Sequence, residues 1–388
     1  MMLPNGWKKV KLGDVAKVTS GGTPLRTHSE YWNGYIPWVK TAQIQNGHIS
    51  KDQVDEYITE LGVKESSAKI VPKGTLLMAM YGQGKTRGQV AILDIDATIN
   101  QACAAFHLKE DEVSTQYLFQ YFLFNYENIR NLSNDGGQKN LSAEIIKKIP
   151  LDLPPIEEQK KIAATLSVWD SAIEKMEKLI DAKEDQKKSL IWKLIENTDA
   201  IRKEKIKIDD LFDEVCEKNH PDADVLTIIQ GTGTLLREKS GRDIVYDKKS
   251  LSNYKFVKKG DFIIHLRSFE GGLEVANQDG IVSPAYIILR PKIEVSTDYL
   301  YALFHTNRFI NYTISPAVEG ARDGRSVKYD ALKKQFINLP TFSEQKYIAK
   351  IITTAEKEHS LLKQQLENYN KQKQGLMQKL LTGEWRVK

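Results

Sequence analysis

Two loops concentrate hydrogen-bonding side chains on a flexible backbone. The first, Tyr81-Gly82-Gln83-Gly84-Lys85-Thr86-Arg87-Gly88, sets an amide, a hydroxyl and two cations among glycines. The second, His265-Leu266-Arg267-Ser268-Phe269-Glu270-Gly271-Gly272, adds a carboxylate. Arg and Lys suit guanine edges and phosphate oxygens, Gln suits adenine, and Glu accepts from a cytosine amino group. Both loops are therefore candidates for contacts to nucleic acid; a solvated surface loop is the competing reading of each. A further pair, Gly136-Gly137-Gln138-Lys139-Asn140 and Arg322-Asp323-Gly324-Arg325-Ser326-Val327-Lys328, either follows a phosphate backbone or is a plain polar connection. Arg26, Lys40, Arg237 and Arg242 are weaker candidates.

Catalytic patterns are approached and missed. Gly82 to Thr86 ends like a phosphate-binding loop, but the full pattern needs a glycine where Ala79 stands. Asp222 with Asp247-Lys248-Lys249 has the ingredients of a metal-dependent nuclease, yet these residue types are common and the run reads as a solvated turn. Leu153-Pro154-Pro155-Ile156 is near the Asx-Pro-Pro-aromatic motif of amino-methyltransferases but lacks both the amide or acid and the ring that would hold a flipped base. The histidines show no metal-ligand spacing. No catalytic residue, cofactor or metal is expected.

Composition sets wide bounds. A net charge of +5 permits nucleic-acid binding without arguing for it, so a partner is expected to supply part of any phosphate grip. At 388 residues the chain suggests two or three domains. No apolar run approaches the roughly 18 residues of a membrane span, and Met1 to Trp7 has no export pattern. Cys103 and Cys216 are far apart in sequence, which fits a reducing cytoplasm better than a disulfide framework.

What must position the loops is a duplicated scaffold. Leu153-Pro154, Glu158-Gln159-Lys160 and Ile162-Ala163 recur as Leu339-Pro340, Glu344-Gln345-Lys346 and Ile348-Ala349, each 186 residues on (339 minus 153). Val71-Pro72-Lys73-Gly74 matches Val257-Lys258-Lys259-Gly260 at the same spacing, and Leu190, Lys193 and Leu194 match Leu376, Lys379 and Leu380. Glu112-Val113-Ser114-Thr115 recurs as Glu294-Val295-Ser296-Thr297. An ordered series of this kind marks an internal repeat. Each half has β-like apolar runs, a short helical segment (Thr115 to Asn131, Thr297 to Tyr312), a polar loop, the Leu-Pro element and a long helix.

The helices carry a heptad rhythm. Leu166, Trp169, Ile173, Met176 and Ile180 continue the steps of four and three begun at Ile162, until Lys183 and Lys187 interrupt. Ile352, Ala355, His359, Leu362 and Leu366 follow Ile348 in the same way, with His359 read as a packed core histidine. Proline stands just before each start, Ser343 is a candidate cap and Gly383 a candidate stop. Each helix is expected to run about 40 residues, roughly 60 Å, and to pair with the other about a pseudo-two-fold axis, hence antiparallel. Ordinary core helices, or helices that oligomerise independently, are the alternative. The expected fold is α/β (α+β): a recognition domain over 1–155, a helix over 156–203, a second domain over 204–341 and a second helix over 342–388.

Two related modules held apart on a pseudo-two-fold match the symmetry of a DNA backbone, although any bivalent partner would fit. Several phrases then bring a family into view: Ser20-Gly21-Gly22-Thr23-Pro24 with Tyr31-Trp32 and Ile36-Pro37-Trp38; Lys73-Gly74-Thr75-Leu76-Leu77-Met78; Ile149-Pro150 to Leu153-Pro154-Pro155-Ile156-Glu157-Glu158-Gln159; and Gly375-Leu376-Met377-Gln378-Lys379-Leu380-Leu381-Thr382-Gly383. Over nearly its whole length the chain resembles a specificity subunit of a type I restriction–modification enzyme. The resemblance implies two target-recognition domains that each read half of a split, asymmetric site in double-stranded DNA. It implies helices that dock two methyltransferase (modification) subunits, and a separate ATP-driven restriction and translocase subunit. Residues 19–50 have no clear counterpart in 216–250, which suits two different half-sites. A bivalent scaffold that joins proteins without reading DNA is the other reading, and a free-standing nuclease relying on Asp222 a third.

Overall fold

The computed structural model describes residues 3–82, 84–132, 140–197, 204–241, 248–320 and 325–387. They pack as two compact units, Met1–Glu177 with Gln365–Lys388, and Lys178–Gln364. Each unit thus takes one module and a part of both long helices.

In the first unit a five-stranded sheet runs in the order Ala16–Ser20, Cys103–Leu108, Leu76–Ala79, Val90–Leu93, Gly47–Ile49, antiparallel except for its last pair. Leu76–Ala79 and Val90–Leu93 are buried at every position, so they read as continuous apolar runs without alternation. A second sheet, Tyr57–Ile58, Trp32–Val39, Ala97–Ile99, Ile70–Val71, takes its longest strand from the segment with no counterpart in the other half. The second unit has an antiparallel sheet in the order Phe212–Val215, Ile287–Pro291, Phe262–Ile264, Glu274–Val275. Beside it lie the pair Lys255–Val257 with Gly280–Val282 and a hairpin, Leu226–Ile229 with Gly233–Leu236.

The repeated residues do the same work twice. Lys8–Lys11 pairs with Pro150–Leu153, and Glu204–Lys207 with Phe336–Leu339, so each module closes on its own Leu-Pro element. Ser114 caps the helix Thr115–Phe124 and Ser296 caps Thr297–Phe304. Gln159 is fully buried; its Oε1 accepts from Ser114 N at 3.0 Å and its Nε2 donates to Glu112 O and Pro154 O at 2.8 and 2.9 Å. Gln345 accepts from Ser296 N and donates to Pro340 O, both at 3.0 Å. The glutamine of the repeat is a staple between the long helix and the capped short one. Each short segment, expected as a single helix, is broken: Asn125 separates Thr115–Phe124 from Tyr126–Asn131, and His305-Thr306 separates Thr297–Phe304 from Asn307–Phe309.

The long helices span Ile156–Ile191, extended by a π turn Trp192–Glu196, and Phe342–Leu381. The second is capped by Thr341, whose hydroxyl and amide exchange bonds with Glu344; Ser343 lies inside the helix, two residues past the cap. Gly383 follows the end of that helix with φ +73°. Within the first unit Glu158 meets Arg386 and Asp170 meets Lys373, so one index rises as the other falls and the pairing is antiparallel. Leu166 is fully buried in the core that holds Met377, Leu380 and Leu381, and Trp169 sits edge-on to Tyr369 at 5.9 Å. Ile173, Met176 and Leu366 are half-buried.

Within the second unit Ile180 and Ile352 are buried and Ala355 and Leu362 half-buried. Lys183 and Lys187 do not break the stripe. Their aliphatic stems continue it, while Lys183 reaches Glu358 at 2.8 Å and Lys187 reaches Glu184 at 2.9 Å. His359 is buried, as a core histidine would be, but it also faces Glu184 at 3.4 Å. Polar seam residues of this kind fix register.

Candidate nucleic-acid interface

The loop 81–88 joins two buried strands. Gly88 N donates to Ala79 O at 2.8 Å and Ala79 N to Gln89 O at 2.9 Å, so the strands close directly beneath it. The following helix holds it from the side: Tyr126 Oη donates to Lys85 O and the Arg130 guanidinium to Gly84 O. Those contacts take the Gly84 and Lys85 carbonyls; the Tyr81 and Lys85 side chains are exposed, with Thr86 and Arg87 half-buried. Leu141 N donates to Met80 O at 3.0 Å, which brings the end of the second polar connection to the foot of the first loop. Gln83, Gln138 and Lys139 lie outside the described residues.

The matching segment of the second unit is not an open glycine loop. It forms a short helical turn, Ser268–Gly271. Ser268 is fully buried and its Oγ accepts from His265 N at 2.8 Å, so this hydroxyl, expected at the surface, holds the turn from within. His265 also turns inward; burial, with His305 adding, holds its imidazole below the usual pKa, and Glu274 opposes this. Exposed are Arg267, paired to Glu270 at 3.0 Å, and Arg325, which lies 4.6 Å from the Phe269 ring centre and 3.9 Å from Glu270. Lys328 is exposed beside them in sequence. Arg322 and Arg242 lie outside the described residues.

Of the weaker candidates, Arg26 and Lys40 pair within their own module. Arg26 stacks on Trp32 at 3.7 Å and pairs with Glu56, and Lys40 bonds Asp55 and Glu56 at 3.0 and 2.6 Å. Arg237 is half-buried near Tyr254. Asp222 is exposed and Asp247 lies outside the described residues. Among the described residues no group of three His, Cys, Asp or Glu side chains is placed to hold a metal, and no helix is long and apolar enough to cross a membrane.

One group was missed. Glu274 is fully buried, and its carboxylate accepts from Gly231 N at 2.6 Å, Gly233 N at 2.8 Å and Tyr301 Oη at 3.3 Å. His305 faces the same carboxylate through Nε2 at 3.2 Å and the Tyr301 carbonyl through Nδ1 at 2.8 Å. Both partners of this imidazole are acceptors, so the protonated ring with its two N–H donors is the form that satisfies both contacts. Burial opposes that charge, but Glu274 and the carbonyl outweigh it and raise the pKa. Burial likewise opposes the Glu274 charge, and His305 with the glycine amides outweighs it. An acid inside the apolar run Leu273-Glu274-Val275-Ala276 was the available signal.

Each module thus repeats one frame and exposes polar side chains at the matching place, a loop in one and a helical turn in the other. A family model described as the type I restriction modification DNA specificity domain matches residues 4–184 and again 192–369. The chain belongs to that family. It is similar to the MjaIX specificity subunit of Methanocaldococcus jannaschii, 27% identical over 72% of this chain and 66% of that subunit, just under two thirds of its length. The MjaVIII specificity subunit of the same organism is 23% identical over 100% of this chain and 95% of its own. The fold is shared with the HsdS subunit of Thermoanaerobacter tengcongensis (TM-score 0.53, 17% identity, 99% of both chains). It is shared too with the S subunit of the M. genitalium type I system (TM-score 0.59, 15% identity, 98% of both chains). The chain is thus a specificity subunit and not an enzyme, as the resemblance implied.

Proposed function

We propose that the chain reads a split, asymmetric site in double-stranded DNA, one half per module, and docks methyltransferase subunits, two in number, to which restriction and translocase subunits are added. A cytoplasmic setting goes with that role. The observation that carries the reading is the contrast between common frame and differing loops. Gln159 and Gln345 hold equivalent helix entries, while the polar side chains of the matching segments differ: exposed Tyr81 and Lys85 with half-buried Thr86 and Arg87 in one module, and exposed Arg267, Glu270, Arg325 and Lys328 in the other. Equivalent scaffolds with different donor and acceptor sets are what two unlike half-sites require.

The test is to co-express the chain with a type I methyltransferase subunit from the same genome and to map methylated adenines across the host genome. A split motif that disappears when the chain is deleted is expected, with Lys85→Ala weakening one half and Arg267→Ala the other. An active methyltransferase that yields no split motif would leave the protein-joining scaffold as the better account.

A further inference from the structure

The buried Glu274 carboxylate is applied to an unusual end: it holds a surface turn. The hairpin turn Ile229–Gly233 needs left-handed backbone at Gly231 (φ +75°) and Gly233 (φ +92°), and both of their amides donate to Glu274. Asn277 fixes the same turn from the other side, its Nδ2 donating to Thr232 O at 2.9 Å and Thr234 O at 3.1 Å. Burying a charge is costly unless it is paired and fully hydrogen-bonded, and here His305, Tyr301 and two amides meet that need. The result is a turn held in one conformation at the surface. On it stands Gln230, exposed, whose carboxamide has no hydrogen-bond partner among the described residues. Its side chain lies across Gly271: a Cβ at that position would be 1.9 Å from Gln230 Nε2. The amide therefore lies against Gly271, the last residue of the short turn Ser268–Gly271 that also carries Glu270.

We infer that Gln230 is a specificity-determining residue of the second module, meeting an adenine edge in the major groove, and that Glu274 is a positioning residue that acts through the turn. The inference rests on the DNA-reading function proposed above. A carboxamide offers a donor and an acceptor side by side, the complement of adenine N6 and N7. Arg267 and Glu270 alone would serve guanine, phosphate and cytosine; Gln230 adds the missing letter. Gly271 has a role in the same account, since a Cβ there would push the exposed, flexible carboxamide out of this seat.

The experiment selects bound duplexes from a pool randomised over the target, using the chain co-purified with its methyltransferase subunits, and sequences them. Gln230→Ala is expected to reduce the preference at one position of one half-motif by about tenfold or more, leaving the other half unchanged. Gly271→Ala, which displaces the amide, should weaken that same position, and Gln230→Glu should turn its preference toward cytosine. Glu274→Gln should weaken it too, without adding to the effect of Gln230→Ala, a non-additivity that a merely structural role would not give. A wild-type split motif that all four variants reproduce would overturn the inference alone. Absence of a split motif in the wild-type complex would remove the DNA-reading function and the inference with it.

Discussion

Replacing Gln159 with leucine would keep a side chain of similar bulk and remove an amide that makes three hydrogen bonds. The bond to Pro154 O is buried, and those to Ser114 N and Glu112 O are partly so. Each buried group left unpaired costs about 1–3 kcal/mol, and the two partly buried ones recover some of that from water, so a total loss of about 2–5 kcal/mol is expected. The first unit has about 200 residues (Met1–Glu177 and Gln365–Lys388). At that size 1 kcal/mol moves Tm by about 2–4 °C, so its transition should fall by about 5–15 °C. Gln345→Leu removes only two such bonds and should cost less. Urea unfolding of the full chain gives the energy, and amide exchange gives the place: protection should fall first at Ser114 and the opening turn of Thr115–Phe124. A loss under about 1 kcal/mol with unchanged exchange there would refute the reasoning and leave apolar packing as the sole support of the helix entry.

Other outcomes follow from the same structure. Glu274 is held below its usual 4.5, so its contribution is present above pH 4.5 and is lost as pH falls through the lowered value; His305 is held above its usual 6.5, so its contribution is present below pH 6.5 and is lost as pH rises through the raised one. Protection of the Gly231 and Gly233 amides, corrected for intrinsic exchange, should peak between those limits, and His305→Gln should abolish the alkaline fall; an alkaline fall that persists would exclude His305 as its source. Arg386→Ala leaves the buried Glu158 carboxylate with only the Trp7 indole, so Tm should drop in a thermal scan and adding Glu158→Gln should restore part of it. Leu166→Ala should cost about 2–5 kcal/mol by urea titration, whereas Val168→Ala, 68% exposed on the same helix, should stay within about 0.5 kcal/mol; equal effects would place the seam elsewhere.

The duplication, the helix starts and most of the seam were legible because they are recorded in spacing. A repeat needs only identity at an offset, and heptads need only the order of apolar residues. What spacing does not record was misread. Lys183 and Lys187 look like interruptions because hydropathy scores the ammonium and not the four-carbon stem that fills the stripe. Ser343 looked like a cap because Thr341, whose partner is Glu344, lies two residues earlier. Ser268 looked like a surface donor because nothing local says that the chain turns helical there. The Glu274 cluster joins residues 231 to 305, a meeting made by the sheet and invisible in any window of sequence.

The division of the long helices between the units bears on how the chain matures. Lys178–Gln364 is one continuous stretch. The other unit is not: Met377, Leu380 and Leu381 share a core with Trp7, Leu12, Ile162 and Leu166. Domains usually fold in the order in which they are made, N-terminal first. Here the module made first has to wait with part of its core open until residues made about 200 positions later arrive, while the module made second closes ahead of it. A nascent chain stalled between the two would expose apolar surface on its N-terminal half, and a stop codon near residue 365 would damage the recognition domain at the opposite end of the sequence.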